Sequence, residues 1–239
     1  MKVFWGKKKP EHYKGLLVKA DLGLHEQIAD KIKNTVPSGA RILDLGAGEG
    51  ALAARLSDMG YKVTAADKDR DSFKFDDIDF SCIDFDLPSD IASFVAKHEA
   101  EFDAVLGVEV IEHVQDQWEY VRQLMKMAKA GGLVLITTPN TTSWLSRVIF
   151  LLTGRFHQFA DEDLSYGHVN PISPWELQLI MRESGASQVE LVSAGTLPPF
   201  YFIGSIKLLF INLFALMLRP VSRGFLDGWC IMATGRKPQ

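Results

Sequence analysis

The stretch from Ala40 to Gly50, ARILDLGAGEG, constrains the fold of this chain more than any other. A short apolar run (Ile42, Leu43, Leu45) carries one acid, Asp44, and breaks into Gly46-Ala47-Gly48-Glu49-Gly50. Leu52, Ala53, Leu56 and Met59 come next at helical spacing. That is strand, glycine turn, helix. Glycines let backbone pass close to a ligand where a Cβ would collide. The helix N-terminus behind them offers free N–H groups.

Acids at set distances downstream give this turn its weight. Lys62 to Ala66 reads as a second strand closing on Asp67, about 20 residues after the glycines, where such folds hold ribose hydroxyls. Phe80 to Asp84 reads as a third strand ending in another acid, and Ile91, Phe94 and Val95 as a helix. Phe102 to Glu109 is a fourth strand, apolar enough to be buried on both faces. Trp118, Val121, Leu124, Met125 and Ala128 share a helical face, which Gly131-Gly132 is expected to stop. Leu133 to Thr138 is a fifth strand, ended by Pro139-Asn140.

A short apolar helix runs from Trp144 to Leu152 and ends at Gly154. Ser173-Pro174-Trp175-Glu176 is a capping box with proline at the first helical position. Val189 to Val192 and Trp229 to Thr234 are the sixth and seventh strands. Strands alternating with helices imply an α/β fold, a parallel sheet covered on both faces. Ligands of such sheets bind at the strand carboxyl ends. Asp44 with the glycines, Asp67, Asp84 and Glu109 all fall there.

A length of 239 residues suits one such domain. The net charge of −4 gives no global basic field for nucleic acid. Cys82 and Cys230 each sit in an apolar run, so two buried free thiols and a reducing, cytoplasmic compartment are expected. Residues 1–24 read as an N-terminal arm, either a solvated tail or a lid or membrane contact through Trp5 and Lys7-Lys8-Lys9. Pro10, Glu11 and His12 come after those lysines instead of an apolar segment, so no signal peptide is expected. Residues 25–239 read as the domain.

Taken together, LDLGAGEG, the acids of TAADKD and CIDFD, FDAVLGVEVIEHV, KAGGLVLITTPN and the last strand ending in GRK resemble the class I S-adenosylmethionine-dependent methyltransferases. The resemblance runs from about His25 to Lys237. EVIEHV, TTPN and GHVNPISPWEL resemble the branch containing ubiquinone-pathway O-methyltransferases and methyltransferases of bacterial surface-glycan pathways. It implies a seven-stranded Rossmann-like sheet ordered 3-2-1-4-5-7-6, with the seventh strand antiparallel. It also implies S-adenosylmethionine as cofactor. Asp44, Gly46, Ala47, Gly48 and Gly50 would lie under its methionine part. Asp67, with Lys68 beside it, would take the ribose, Asp84 and Phe85 the adenine, and Val108 and Glu109 the region of the sulfur.

Glu109, Glu112 and His113 lie at i, i+3 and i+4, so one helical turn would crowd them on one side. His168 lies in the loop before the capping box, which faces the acceptor in this family. His113 or His168, with Glu112 beside them, is the expected base toward an acceptor hydroxyl. Glu109, Glu112, His113 and His168 also resemble the divalent-ion site of small-RNA 2′-O-methyltransferases, which implies Mg²⁺ or Mn²⁺. The plainer alternative has Glu109 on the cofactor while Glu112 and His113 shape the turn. His12, His25, His98 and His157 read as surface or packing residues.

Pro199 to Leu218 is almost entirely apolar, with one charge, Lys207. Its length suits a membrane span. However, strands six and seven must share one sheet, and a single crossing between them would separate them. The insert, residues 199–222, is therefore expected to lie in a membrane interface, dip in as a hairpin, or cover protein as an oligomer contact. Arg219 and Arg223 suit anionic headgroups, and Lys207 and Asn212 make a poor polar face. The acceptor is then a small molecule or lipid-linked, of glycan or quinone type, met on the inner face of a membrane. A non-catalytic S-adenosylmethionine-binding scaffold is the alternative. A nicotinamide oxidoreductase fits less well, because its fingerprint runs G-x-G-x-x-G.

Overall fold

The computed structural model describes residues 10–201 and 206–239. The expectations placed on Trp5 and Lys7-Lys8-Lys9, and on residues 202–205 of the insert, lie outside the described residues. The chain opens with a hairpin, β1 (His12–Tyr13) and β2 (Leu16–Leu17), and then α1 (Leu24–Thr35). Next come β3 (Arg41–Leu45), α2 (Ala51–Asp58), β4 (Lys62–Asp67), β5 (Asp79–Cys82), α3 (Pro88–Lys97), β6 (Phe102–Val108) and α4 (Gln117–Met127). The second half holds β7 (Ala128–Pro139), α5 (Trp144–Thr153), α6 (Pro174–Glu183), β8 (Ser187–Ala194), α7 (Ile206–Leu218) and β9 (Cys230–Arg236).

Among the described residues the main sheet has seven strands, ordered β5-β4-β3-β6-β7-β9-β8. Only β9 runs against its neighbours, pairing antiparallel with both β7 and β8. This is the order and sense that the family resemblance implies. Alternation along the strands feeds two cores. Ile42, Ala104, Leu106 and Leu135 face α1, α2, α5 and α7, while Leu43, Val105, Val134 and Ile136 face α3, α4 and α6. Leu24, Ile28 and Ile32 line one face of α1 and are fully buried, each side chain stabilising the fold by about 1.5–3 kcal/mol.

Several local expectations need correction. Gly131-Gly132 does not close α4. That helix stops at Met127, Ala128 turns extended, and the glycines lie inside β7 near a bulge against β6. A Cβ on Gly132 would stand 2.8 Å from the Lys129 carbonyl of the same strand, so the folded-back backbone of the bulge, not a helix cap, requires glycine there. Cys230 is buried, but Cys82 is exposed, because β5 is a short edge strand. The described part of the arm is not a loose tail. Leu16 and Val18 are buried against Ala51 and Ala54 of α2, and the Tyr13 hydroxyl donates to Asp58 across 2.7 Å.

Asn212 belongs to no polar face. It is fully buried, its Oδ1 accepting from the Tyr201 N–H at 2.8 Å while its Nδ2 donates to the carbonyls of Tyr201 and Leu208, each at 2.6 Å. One amide thus pins α7 to the segment before it. No helix among the described residues is long and apolar enough to cross a membrane. The 13 residues of α7 span only about 20 Å.

Candidate active site

The site forms along the carboxyl edge of β3, β4, β6 and β7. Behind β3 the chain turns through Gly46, Gly48 and Gly50, all with positive φ, and Gly50 caps α2. A Cβ on Gly46 would meet Val110 at 2.2 Å, so no larger residue fits. The N–H groups of Gly46 and Ala47 donate to the Ala66 carbonyl at the end of β4. The Gly48 N–H donates to Asp67 Oδ2 at 2.8 Å. The turn and the tip of β4 are thus one rigid unit.

A narrow crevice runs beside this unit. Asp44, Gly46, Ala47, Gly48 and Val108 line it, together with Leu17, Lys19 and His25. Asp44 is buried and its Oδ2 has no protein hydrogen-bond partner among the described residues. Burial, helped by the charge of Asp67, raises its carboxyl pKa to about 7. His25 is also buried, with Nδ1 unpartnered among the described residues, and burial lowers its pKa to about 4. Glu49 holds the N-terminal hairpin over the turn: its Oε2 accepts from the Leu17 N–H at 2.9 Å and its Oε1 from Lys74 at 2.6 Å.

Further along the edge, Asp84 accepts from the Asp86 N–H at 2.9 Å. Phe85 meets Tyr120 edge-on, ring centroids 5.5 Å apart. Lys68 offers its carbonyl to Cys82 Sγ at 3.4 Å. These residues flank the β4 tip and are not part of the narrow crevice.

The turn after β6 carries the acids and a histidine, but a left-handed Glu109 breaks the single helical turn that would stack all three. Glu109 has φ +54°, a left-handed backbone that costs about 1–3 kcal/mol and persists only where its surroundings enforce it. Its N–H donates to the Thr137 carbonyl, and the Thr137 hydroxyl donates to its Oε1 at 2.8 Å. Cys230 Sγ donates to its other oxygen at 3.4 Å. Burial raises the Glu109 pKa to about 7. Glu112 is fully buried, with Oε2 accepting from the Thr138 hydroxyl at 3.1 Å and Oε1 unpartnered among the described residues. Burial and the neighbouring Glu109 push its pKa well above the carboxylate range.

His113 and His168 come together from different segments, with ring centroids 4.9 Å apart at 70°. Backbone makes that meeting. The N–H groups of Val169 and Asn170 both donate to the Glu112 carbonyl, and Gln117 Nε2 donates to the carbonyls of Ile111 and Asn170, each at 3.1 Å. Gly167 suits this place, because its φ is +83° and a Cβ would press on His113 Nδ1 at 3.0 Å. His168 Nδ1 donates to the Gln158 carbonyl at 2.8 Å, which leaves Nε2 as the basic nitrogen of the neutral ring. Burial lowers the His113 pKa and favours its neutral form.

The four residues expected as a metal set therefore divide. Glu112, His113 and His168 place one ligand atom each within 4.8 Å of one another, and Glu109 stands outside that group. Sequence reasoning missed His25, Thr137, Thr138 and Cys230. The two threonines at the carboxyl end of a buried strand were a usable signal, because buried hydroxyls need partners. His25 gave none, since only the packing of α1 brings it to the crevice.

Residues 21–191 match the family described as "Methyltransferase domain". The ubiquinone biosynthesis O-methyltransferase of Caulobacter sp. (strain K31) is 33% identical over 107 residues, 44% of this chain and 42% of that protein. The chain thus spans less than half of that relative's length. The protein of the same description from Thiobacillus denitrificans is 30% identical over 166 residues, 64% of this chain and 67% of that protein. Among solved structures, a SAM-dependent methyltransferase from Archaeoglobus fulgidus superposes with a TM-score of 0.62 at 17% identity, covering 89% of this chain and 94% of that one. Phosphoethanolamine N-methyltransferase 2 of Haemonchus contortus, in complex with S-adenosyl-L-methionine, gives 0.59 at 16% identity, covering 93% and 54%.

Proposed function

We propose that this chain, which belongs to the class I S-adenosylmethionine-dependent methyltransferase family, methylates a hydroxyl oxygen of a lipid-linked acceptor at a membrane surface. The observation that carries the oxygen assignment is the meeting of the His113 and His168 rings past the carboxyl end of β6. The cofactor's sulfonium makes its methyl group electrophilic without help. The acceptor oxygen forms the new C–O bond as the C–S bond breaks, and the sulfur keeps that electron pair. The hydroxyl proton must go to a base, and a neutral imidazole with a free nitrogen is suited to take it. The protein's larger contribution is alignment, worth about 7–11 kcal/mol when attack geometry is held.

Buried acids suit the cofactor. Asp44 borders the crevice and carries an unpartnered oxygen, and a bound cation offsets the cost of ionising it. Asp67 stands at the strand tip for a vicinal diol. The O-methyltransferase activity by which the Caulobacter and Thiobacillus relatives are named supports an oxygen acceptor. The lipid part rests on the exposed apolar residues of α5 and α7, among them Phe150, Leu151, Phe210 and Met217. The protein would then act from the cytoplasm on the inner membrane face.

The test is transfer of labelled methyl from S-adenosylmethionine into membrane extract, with organic–aqueous partition of the products. Organic-phase label supports the reading. Label confined to the aqueous or protein fraction sinks the lipid acceptor. Cofactor binding without transfer to any fraction favours a non-catalytic scaffold.

The 4.8 Å grouping of Glu112, His113 and His168 favours a second reading, in which they hold Mg²⁺ or Mn²⁺. The unpartnered Glu112 Oε1 fits such a role. A divalent ion there would gather acceptor oxygens and lower a hydroxyl's pKa. Loss of transfer on chelation, restored by one divalent ion, selects this reading, and indifference to chelation selects the histidine base alone.

A further inference from the structure

α5 leaves the sheet after β7 and α7 enters between β8 and β9, yet the two helices lie side by side. Between them runs a groove of about 530 Å³, within the usual range of small-ligand sites. Val148, Phe150 and Leu151 form one wall, and Phe214, Ala215 and Leu218 the other. Its lips stay open to solvent: Leu151 is 68% exposed and Phe150 is 45% exposed. Apolar surface on that scale marks an interaction site.

The charged lining is wholly cationic, Arg147 and Arg219 with no acid. Arg219 is matched by Asp227. Arg147 is not matched by a carboxylate among the described residues. Its Nε donates to the Thr142 carbonyl at 2.7 Å and its Nη2 to the Arg223 carbonyl at 2.6 Å. Two carbonyls hold the guanidinium in place, and neither cancels its charge. It is partly buried, which strengthens its attraction for an anion.

The groove starts near the reactive edge. Thr141, buried in its lining, is three residues beyond Thr138, whose hydroxyl donates to Glu112. Three residues reach at most about 11 Å. Phe156, also in the lining, precedes His157, whose ring lies 4.9 Å from that of Trp229, the neighbour of Cys230.

We infer that this groove holds the hydrocarbon chain of a phosphate-bearing lipid, with Arg147 against the phosphate and the methylated group beyond it toward His113 and His168. The inference rests on the methyltransferase reading above and names the acceptor class within it. Charge complementarity selects this occupant over a second copy of the chain seated groove to groove, which would set arginine against arginine.

Farnesyl phosphate is the probe, titrated calorimetrically into protein saturated with S-adenosylhomocysteine. One site per chain is expected. Farnesol should bind at least about tenfold more weakly, and inorganic phosphate weaker still, as a charge-assisted contact added to apolar burial requires. Ala215→Trp should fill the groove and abolish farnesyl phosphate binding. Arg147→Lys should shrink the preference for farnesyl phosphate over farnesol. Retained S-adenosylhomocysteine affinity reports folding in both. Leu151→Glu, at an exposed lip, is the second variant should Ala215→Trp not fold.

No farnesyl phosphate binding, or equal binding by Ala215→Trp or Leu151→Glu, overturns the inference. So does a dimer that Leu151→Glu dissociates in a protein that ignores the probe. Organic-phase methyl label without probe binding removes the groove and spares the lipid acceptor. Probe binding that tracks the variants, with no organic-phase label, keeps the groove and removes that acceptor.

Discussion

The backbone N–H of Gly48 donates to the carboxylate of Asp67 across 2.8 Å. This bond joins the glycine turn to the tip of β4, so the acid is oriented by the fold itself. Its other oxygen accepts from the Asp69 N–H at 2.9 Å. Asp67→Asn keeps an acceptor for one donor and removes the charge. Hydrogen bonds to an ionised group are about twice as strong as neutral ones. S-adenosylhomocysteine affinity should fall about 10–100-fold by calorimetry, with little change in Tm. Unchanged affinity would remove Asp67 from the cofactor site.

Gly46 and Val110 form a second pair. A Cβ at Gly46 lies 2.2 Å from Val110 Cγ2, and φ is +76°. Gly46→Ala therefore carries both a clash and backbone strain. Val110→Ala relieves only the clash. Urea melts should show the double variant recovering part of the loss, with a coupling of about 0.5–3 kcal/mol. Strict additivity would mean that the two side chains do not meet.

Most of the sheet was legible because its strands are apolar, regularly spaced and ended by acids or glycines. Caps were legible for the same local reason: Ser173 accepts from the Glu176 N–H at 3.1 Å, and Gly154 ends α5 in a left-handed conformation. Gly131-Gly132 was ambiguous because the positive φ that Gly131 takes serves both helix ends and bulged strands. The direction of the Glu109 side chain was not legible at all. It stems from a left-handed backbone that glutamate does not announce. Asn212 looked like a weak polar face because its partner, Tyr201, is 11 residues away in sequence. The groove between α5 and α7 depends on two distant segments meeting, which no local pattern encodes.

His113 and His168 should separate chemistry from cofactor binding. Each lies outside the narrow crevice, so His113→Ala and His168→Ala should leave S-adenosylhomocysteine affinity within about threefold. Loss of a general base costs about 10²–10⁴ in rate. Methyl transfer should fall by that amount in whichever variant removes the base. His168→Ala also frees the Gln158 carbonyl, so a small loss of Tm is expected there. Full activity in both variants would end the base assignment.

Asp44 makes stability and cofactor affinity depend on pH in opposite directions. Its ordinary pKa of 3.8 rises to about 7 in the fold. A raised acid pKa means that the folded chain keeps a proton that the unfolded chain has lost. Stability is then undiminished below about 4, falls as pH rises toward 7, and levels off above it. The full effect of Asp44 is on the order of 4 kcal/mol. Glu109 and Glu112 shift in the same direction and add to the slope. Urea midpoints of the free protein should therefore fall between about pH 4 and 7, and Asp44→Asn should remove about one proton's share of the slope. A variant as steep as the parent would show that Asp44 ionises normally. S-adenosylmethionine is cationic and favours the ionised carboxylate, so its Kd should tighten over the same pH rise. Asp44→Asn should flatten that trend too, because one buried carboxyl governs both.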